Sequence, residues 1–111
     1  MQYLLLIYDN EKRFAQGYDN GELNQYRAFG QEFSKNIKGG NALQPTGSAV
    51  TVRVRDGKAT TTDGPFAETK EQLGGFYLVE ARDQKEAAAI AAKIPGARFG
   101  SIEVRPIMTF S

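Results

Sequence analysis

Histidine and cysteine are both absent from this 111-residue chain. Without cysteine there is no disulfide, no thiolate nucleophile and no sulfur ligand for a metal. Without histidine there is no Ser–His or Cys–His pair, no imidazole-bound zinc, and the commonest general base near neutral pH is missing. An excess of either charge is missing too. The 14 basic and 13 acidic side chains leave a net +1, with no basic block of the kind that grips a phosphate backbone. Direct binding to nucleic acid is therefore not expected. Long apolar runs are lacking as well: residues 3–8 form a short apolar stretch without a basic leader, too short for a membrane span and unlike a signal peptide. The expectation is a cytoplasmic protein, one domain over residues 1–111, whose chemistry comes from Asp, Glu, Lys, Tyr or Arg.

What is present reads as alternating elements. Residues 2–9 are short, apolar and end at Asp9-Asn10, which predicts a strand. Tyr3, Leu5 and Ile7 occupy one face and Leu4, Leu6 and Tyr8 the other, so both faces call for cover. Residues 11–20 are polar and loop-like. From about 20 to 38 the period becomes helical: Leu23, Tyr26, Gly30, Phe33 and Ile37 fall on one stripe beside Phe29. Asp19 or Asn20 caps the start, with Glu22 at capping-box spacing from Asp19, and Gly39-Gly40 stops the helix. A short edge strand is expected at 42–44. Residues 49–55 alternate with Val50, Val52 and Val54 inward, and Asp56-Gly57 turns the chain back along 58–62 as a hairpin. A loop over 63–71, holding one helical turn at 67–72, leads to a strand at 75–81. Asp83 caps a helix over 84–93 with Ala87, Ile90, Ala91 and Ile94 as its apolar stripe, and 101–107 forms the last strand.

Strand, helix, strand pair, strand, helix and strand make a split βαβ, ferredoxin-like α+β fold with an inserted hairpin. Right-handed crossovers put both helices on one face of the antiparallel sheet. The second face then keeps large apolar side chains, each worth about 1.5–3 kcal/mol if buried, with no element left to cover it. A homodimer, sheet against sheet across a two-fold axis, is the simplest remedy.

The densest functional chemistry lies in Thr62-Asp63-Gly64-Pro65-Phe66-Ala67-Glu68-Thr69-Lys70-Glu71. Asp-Gly-Pro explains a turn, but a turn needs none of the charges at Glu68, Lys70 and Glu71. Asp63 either accepts backbone N–H bonds from its own turn or serves as a general base at the rim of a cleft. Glu68 and Lys70 either form a solvated charged turn or join Asp63 as catalytic groups, with Pro65 and Phe66 beside them as ligand contacts. No spacing matches a calcium loop, so neither a metal nor another cofactor is expected. A second group contains Tyr8, Arg53, Glu103 and Arg105. An arginine there either pairs with Glu103 or holds an anionic ligand. Tyr26, on the inner stripe of the first helix, is core or ligand contact.

The ten-residue run 62–71 resembles the signature of the DGPF group of the YCII-related family. Further likeness lies in residues 3–8, in Tyr26-Arg27-Ala28-Phe29, in Val52-Arg53 with Asp56-Gly57-Lys58, and in Leu73-Gly74-Gly75-Phe76-Tyr77. It continues through Ile94-Pro95-Gly96-Ala97 and Glu103-Val104-Arg105-Pro106, so it covers nearly the whole chain. The resemblance implies a dimeric α+β barrel of ferredoxin-like protomers. It implies no particular reaction, since members of the group mostly lack an established one, and it suggests an association with extracytoplasmic-function sigma factors. The wider family is suspected of enzymatic activity through a His–Asp pair in the cleft, and this chain has no histidine to supply one. Two functions follow as expectations: binding or transformation of a small molecule, anionic ones included, in a cleft bordered by 62–71, or a regulatory module that engages a sigma factor.

Overall fold

The structure, a computed structural model, describes residues 1–14 and 17–110. The elements are β1 (Gln2–Asp9), a 3-10 turn (Glu11–Phe14), α1 (Asn20–Glu32), β2 (Ile37–Ala42), a second 3-10 turn (Thr46–Ser48), β3 (Val50–Arg55), β4 (Lys58–Asp63), β5 (Gln72–Glu80), α2 (Gln84–Ala91), a third 3-10 turn (Pro95–Arg98) and β6 (Ser101–Pro106). Of the 11–20 stretch, residues 15 and 16 lie outside the described residues. The main sheet has the order β2-β5-β1-β6, every neighbouring pair antiparallel. β1 and β2 therefore run parallel with β5 between them, which is the ferredoxin-like arrangement. The β3–β4 hairpin is inserted between β2 and β5 as a separate two-stranded sheet.

Alternation along β1 sets the layers. Tyr3 and Leu5 are buried and stand opposite Val79 and Tyr77 on β5 and Val104 on β6. Phe29 from α1 and Ala87, Ile90 and Ala91 from α2 join that cluster with Ile94, so both helices cover this one face. Asp19 caps α1 by accepting the Glu22 N–H at 2.7 Å, and Asp83 caps α2 by accepting the Glu86 N–H at 2.8 Å. On the other face of the sheet Leu4, Leu6, Phe76 and Leu78 are half-buried, and none belongs to the buried cluster.

The structure corrects four of these expectations, and the edge strand expected at 42–44 is β2 over Ile37–Ala42. α1 ends at Glu32 rather than 38, and Ile37 opens β2 opposite Val79. Its helical spacing from Phe33 misled because a strand residue there reaches the same core. Gly39-Gly40 is strand interior, not a helix stop. A Cβ on Gly40 would come within 2.6 Å of the Phe76 carbonyl oxygen, so β2 can lie against β5 only with glycine there. No helical turn forms at 67–72; β5 instead begins at Gln72. Finally, Val50, Val52 and Val54 do not point inward. Each is about 60% exposed, because the hairpin leaves the main sheet as an arm. Glu11 anchors the base of that arm, accepting the Thr46 N–H and hydroxyl at 2.7 Å each.

Candidate functional site

Small residues on the helix-covered side of the sheet create a space. Register places Ile7 of β1 opposite Gly75 of β5, and Gly75 opposite Ala42 of β2, with Gly40 further along the same strand. Two glycines and an alanine leave almost no side-chain volume where the sheet would otherwise meet α1. The result is a half-enclosed cavity of about 330 Å³ floored by Ile7, Gly40, Ala42, Gly74 and Gly75. Leu23 and Tyr26 of α1 roof it, Tyr18 and Tyr77 form walls, and Asn41 and Phe76 complete the lining. Its volume sits at the small end of ligand pockets, above the roughly 150 Å³ that accommodates a bare benzene ring.

The three phenols are close enough to interact: Tyr18 and Tyr26 meet edge to face at 6.2 Å, and Tyr26 feels both Tyr18 and Tyr77. Burial pushes the pKa of each above that of a free phenol. For Tyr26 the neighbouring tyrosines and Glu22 add to the rise, while a hydrogen bond from the Gly96 backbone N–H opposes it. All three are therefore un-ionised at neutral pH. They can donate hydrogen bonds but cannot act as bases.

Behind Tyr18 and Tyr26 lies a buried ionic cluster. Asp9 and Glu22 are 4% and 7% exposed, and Arg13 spans them. Arg13 Nε and Nη2 donate to Asp9 Oδ2 at 2.8 and 2.6 Å, and Nη1 donates to Glu22 Oε1 at 2.8 Å. Hydrogen bonds donated to Glu22 and then to Asp9 raise the pKa of the guanidinium. The ring of Phe99 lies 4.1 Å below it. The sequence contained the signal for this cluster. Asp9 continues the inward parity of Tyr3, Leu5 and Ile7, and Glu22 precedes Tyr26 by four residues on the inner stripe of α1, so each carboxylate needed a buried partner.

The residues singled out from the sequence fall elsewhere, with one exception. Tyr26 roofs the cavity. Asp63, at the end of β4, is exposed, and among the described residues its carboxylate has no hydrogen-bond or ion-pair partner; the turn N–H bonds that would make it structural do not form. Gly64 bonds Ala49 and Thr51 instead. Pro65, Glu68 and Lys70 border a second, shallower depression of about 590 Å³ with Glu11, Lys12 and Thr46. Phe66 projects at 79% exposure. Arg53 lies on the polar face of the arm. Arg105 pairs with Glu103 at 2.8 Å, and Tyr8 donates to the same carboxylate at 3.4 Å; that exposed group sits on the sheet face away from the cavity. The pKa of Arg105 is raised by Glu103. Among the described residues no group of three or more acidic side chains could hold a metal.

The sequence pattern of the YCII-related domain matches residues 1–111. The chain belongs to the YCII-related domain family. An uncharacterised protein, R00369 of Rhizobium meliloti (strain 1021), is 46% identical over 70 residues, which is 61% of this chain and 56% of that protein. The match thus spans little more than half the length of this curated relative. Among solved structures, 5-chloro-2-hydroxyhydroquinone dehydrochlorinase from Burkholderia phenoliruptrix AC1100, in complex with 2,5-dihydroxybenzoquinone, superposes with a TM-score of 0.59 at 14% identity. The superposition covers 97% of this chain and 94% of that one, and it shows a shared α+β fold. Among the described residues no helix is long and apolar enough to cross a membrane.

Proposed function

We propose that this YCII-related protein binds, and acts chemically on, a small single-ring molecule held between α1 and the sheet. The carrying observation is the glycine-floored cavity walled by three un-ionised tyrosines. A flat ring fits against glycine backbone, and phenol donors suit carbonyl or hydroxyl groups at its edge. The fold neighbour, solved with a quinone, offers supporting analogy at the level of the fold. Any acid–base step falls to carboxylate and amine groups. Asp63, Glu68 and Lys70 of the motif are such groups, but none of them lines the cavity: Glu68 and Lys70 border the separate depression and Asp63 ends β4. Titration with a panel of single-ring phenols and quinones, followed by tyrosine NMR signals, tests this. Shifts of Tyr26 and Tyr77 that vanish in Ala42→Leu support the cavity. No shift with any member of the panel refutes it.

The uncovered sheet face supports a homodimer in the same reading, since Leu4, Leu6, Phe76 and Leu78 have no helix above them. Light scattering should give twice the mass of one chain, and Leu6→Glu should halve it. A second reading, a regulatory module docking on a protein such as a sigma factor, draws on the exposed valines of the arm and on Phe66. It requires that Val52→Asp abolish capture of the sigma factor while ligand binding survives.

A further inference from the structure

We infer that the cavity takes its ligand in an uncharged form, a neutral phenol, quinone or similar carbonyl compound, and turns anions away. The inference rests on the cavity being a ligand site and names the charge class that the site accepts. None of the lining residues carries a formal charge. The polar residues among them are Tyr18, Tyr26, Tyr77 and Asn41, with the backbone of the glycines beside them. An anion moved there loses part of its hydration, at a cost, unless a cation or a convergent set of N–H groups replaces it.

The charges facing the cavity from the surrounding elements point the same way. β1 brings Asp9, the first 3-10 turn brings Arg13, and α1 brings Glu22. Arg13 acts on Tyr18, but it is already held by both carboxylates, so the cluster sums to −1 behind the phenols. β2 and β5 add no charge to the lining. No lysine or arginine lines the cavity; Arg105 pairs with Glu103, Arg53 lies on the arm, and Lys12 and Lys70 border the separate depression. Glu22 also pushes the pKa of both Tyr18 and Tyr26 upward, so ionising either phenol to accommodate a cationic partner is disfavoured.

The probe is 4-nitrophenol, which ionises near neutral pH and whose phenolate alone is yellow. Binding is measured by equilibrium dialysis and, in parallel, by absorbance at a pH where the free probe is half ionised. The expected result is binding with bleaching, the phenol held at least tenfold more tightly than the phenolate, so that the pKa of the probe rises by about one unit on binding. Ala42→Leu should remove both signals. Binding without bleaching, or with deeper colour, overturns the inference and leaves the cavity as a ligand site. No binding overturns both.

Discussion

Arg13 Nη1 meets Glu22 Oε1 at 2.8 Å while the same guanidinium holds Asp9 at 2.6 Å, joining β1, the first 3-10 turn and the first turns of α1 through one side chain. Both carboxylates are buried, and the arginine is 28% exposed along its side chain. Removing the cation leaves two unpaired buried carboxylates. Arg13→Met should therefore cost about 3 kcal/mol of unfolding free energy in urea titration, more than the loss of an exposed pair would. Replacing all three residues, Asp9→Asn, Glu22→Gln and Arg13→Met, should recover part of it.

Tyr26 and Gly96 are similarly interlocked. A Cβ at Gly96 would stand 2.9 Å from the Tyr26 hydroxyl and 3.3 Å from Ile7. Gly96→Ala should destabilise by about 1–2 kcal/mol through overpacking. In a Tyr26→Phe background the cost should shrink by about 0.5–1 kcal/mol, since the obstructing oxygen is gone; a double-mutant cycle measures that coupling.

Alkaline pH should weaken the fold in a defined direction. Tyr18, Tyr26 and Tyr77 have folded-state pKa values above the ordinary phenol value of about 10. Above about pH 10 the unfolded chain releases protons that the folded chain retains, so stability is flat below that point and falls as pH rises beyond it. Unfolding free energy followed from neutral to alkaline pH should show this decline, with a shallower slope in Tyr26→Phe.

Asp63→Asn should leave stability within about 0.5 kcal/mol of wild type, because the carboxylate is exposed and has no partner among the described residues. Chemical denaturation at one protein concentration checks this. A larger loss would restore a structural role for the motif aspartate.

Ala42→Leu adds side-chain volume at the cavity floor from an edge strand. Binding of single-ring ligands should fall at least tenfold while unfolding free energy changes by less than about 1 kcal/mol. Parallel ligand titration and urea unfolding separate the two effects.

The sequence by itself determined the two helices with their caps, the first strand, the hairpin and the ferredoxin-like order, because hydrophobic period, Asx caps and an Asp-Gly turn are local signals. Parity along residues 2–9 told correctly which side chains of β1 face the helices. It also held the sign that Asp9 would need a partner. Where α1 ends was not legible, since Phe33 and Ile37 reach the same core whether the intervening backbone is helix or turn. The valines of the arm misled for a related reason: alternation specifies that one face is apolar, not that anything covers it. Only the tertiary structure decided where a site could lie. A cavity is a shared absence, made when Gly40, Ala42 and Gly75, far apart in the chain, fall together under Tyr26. The charged motif of residues 62–71 drew the eye because charges are visible in a string of letters. The missing side chains of two strands become visible only once the strands are paired.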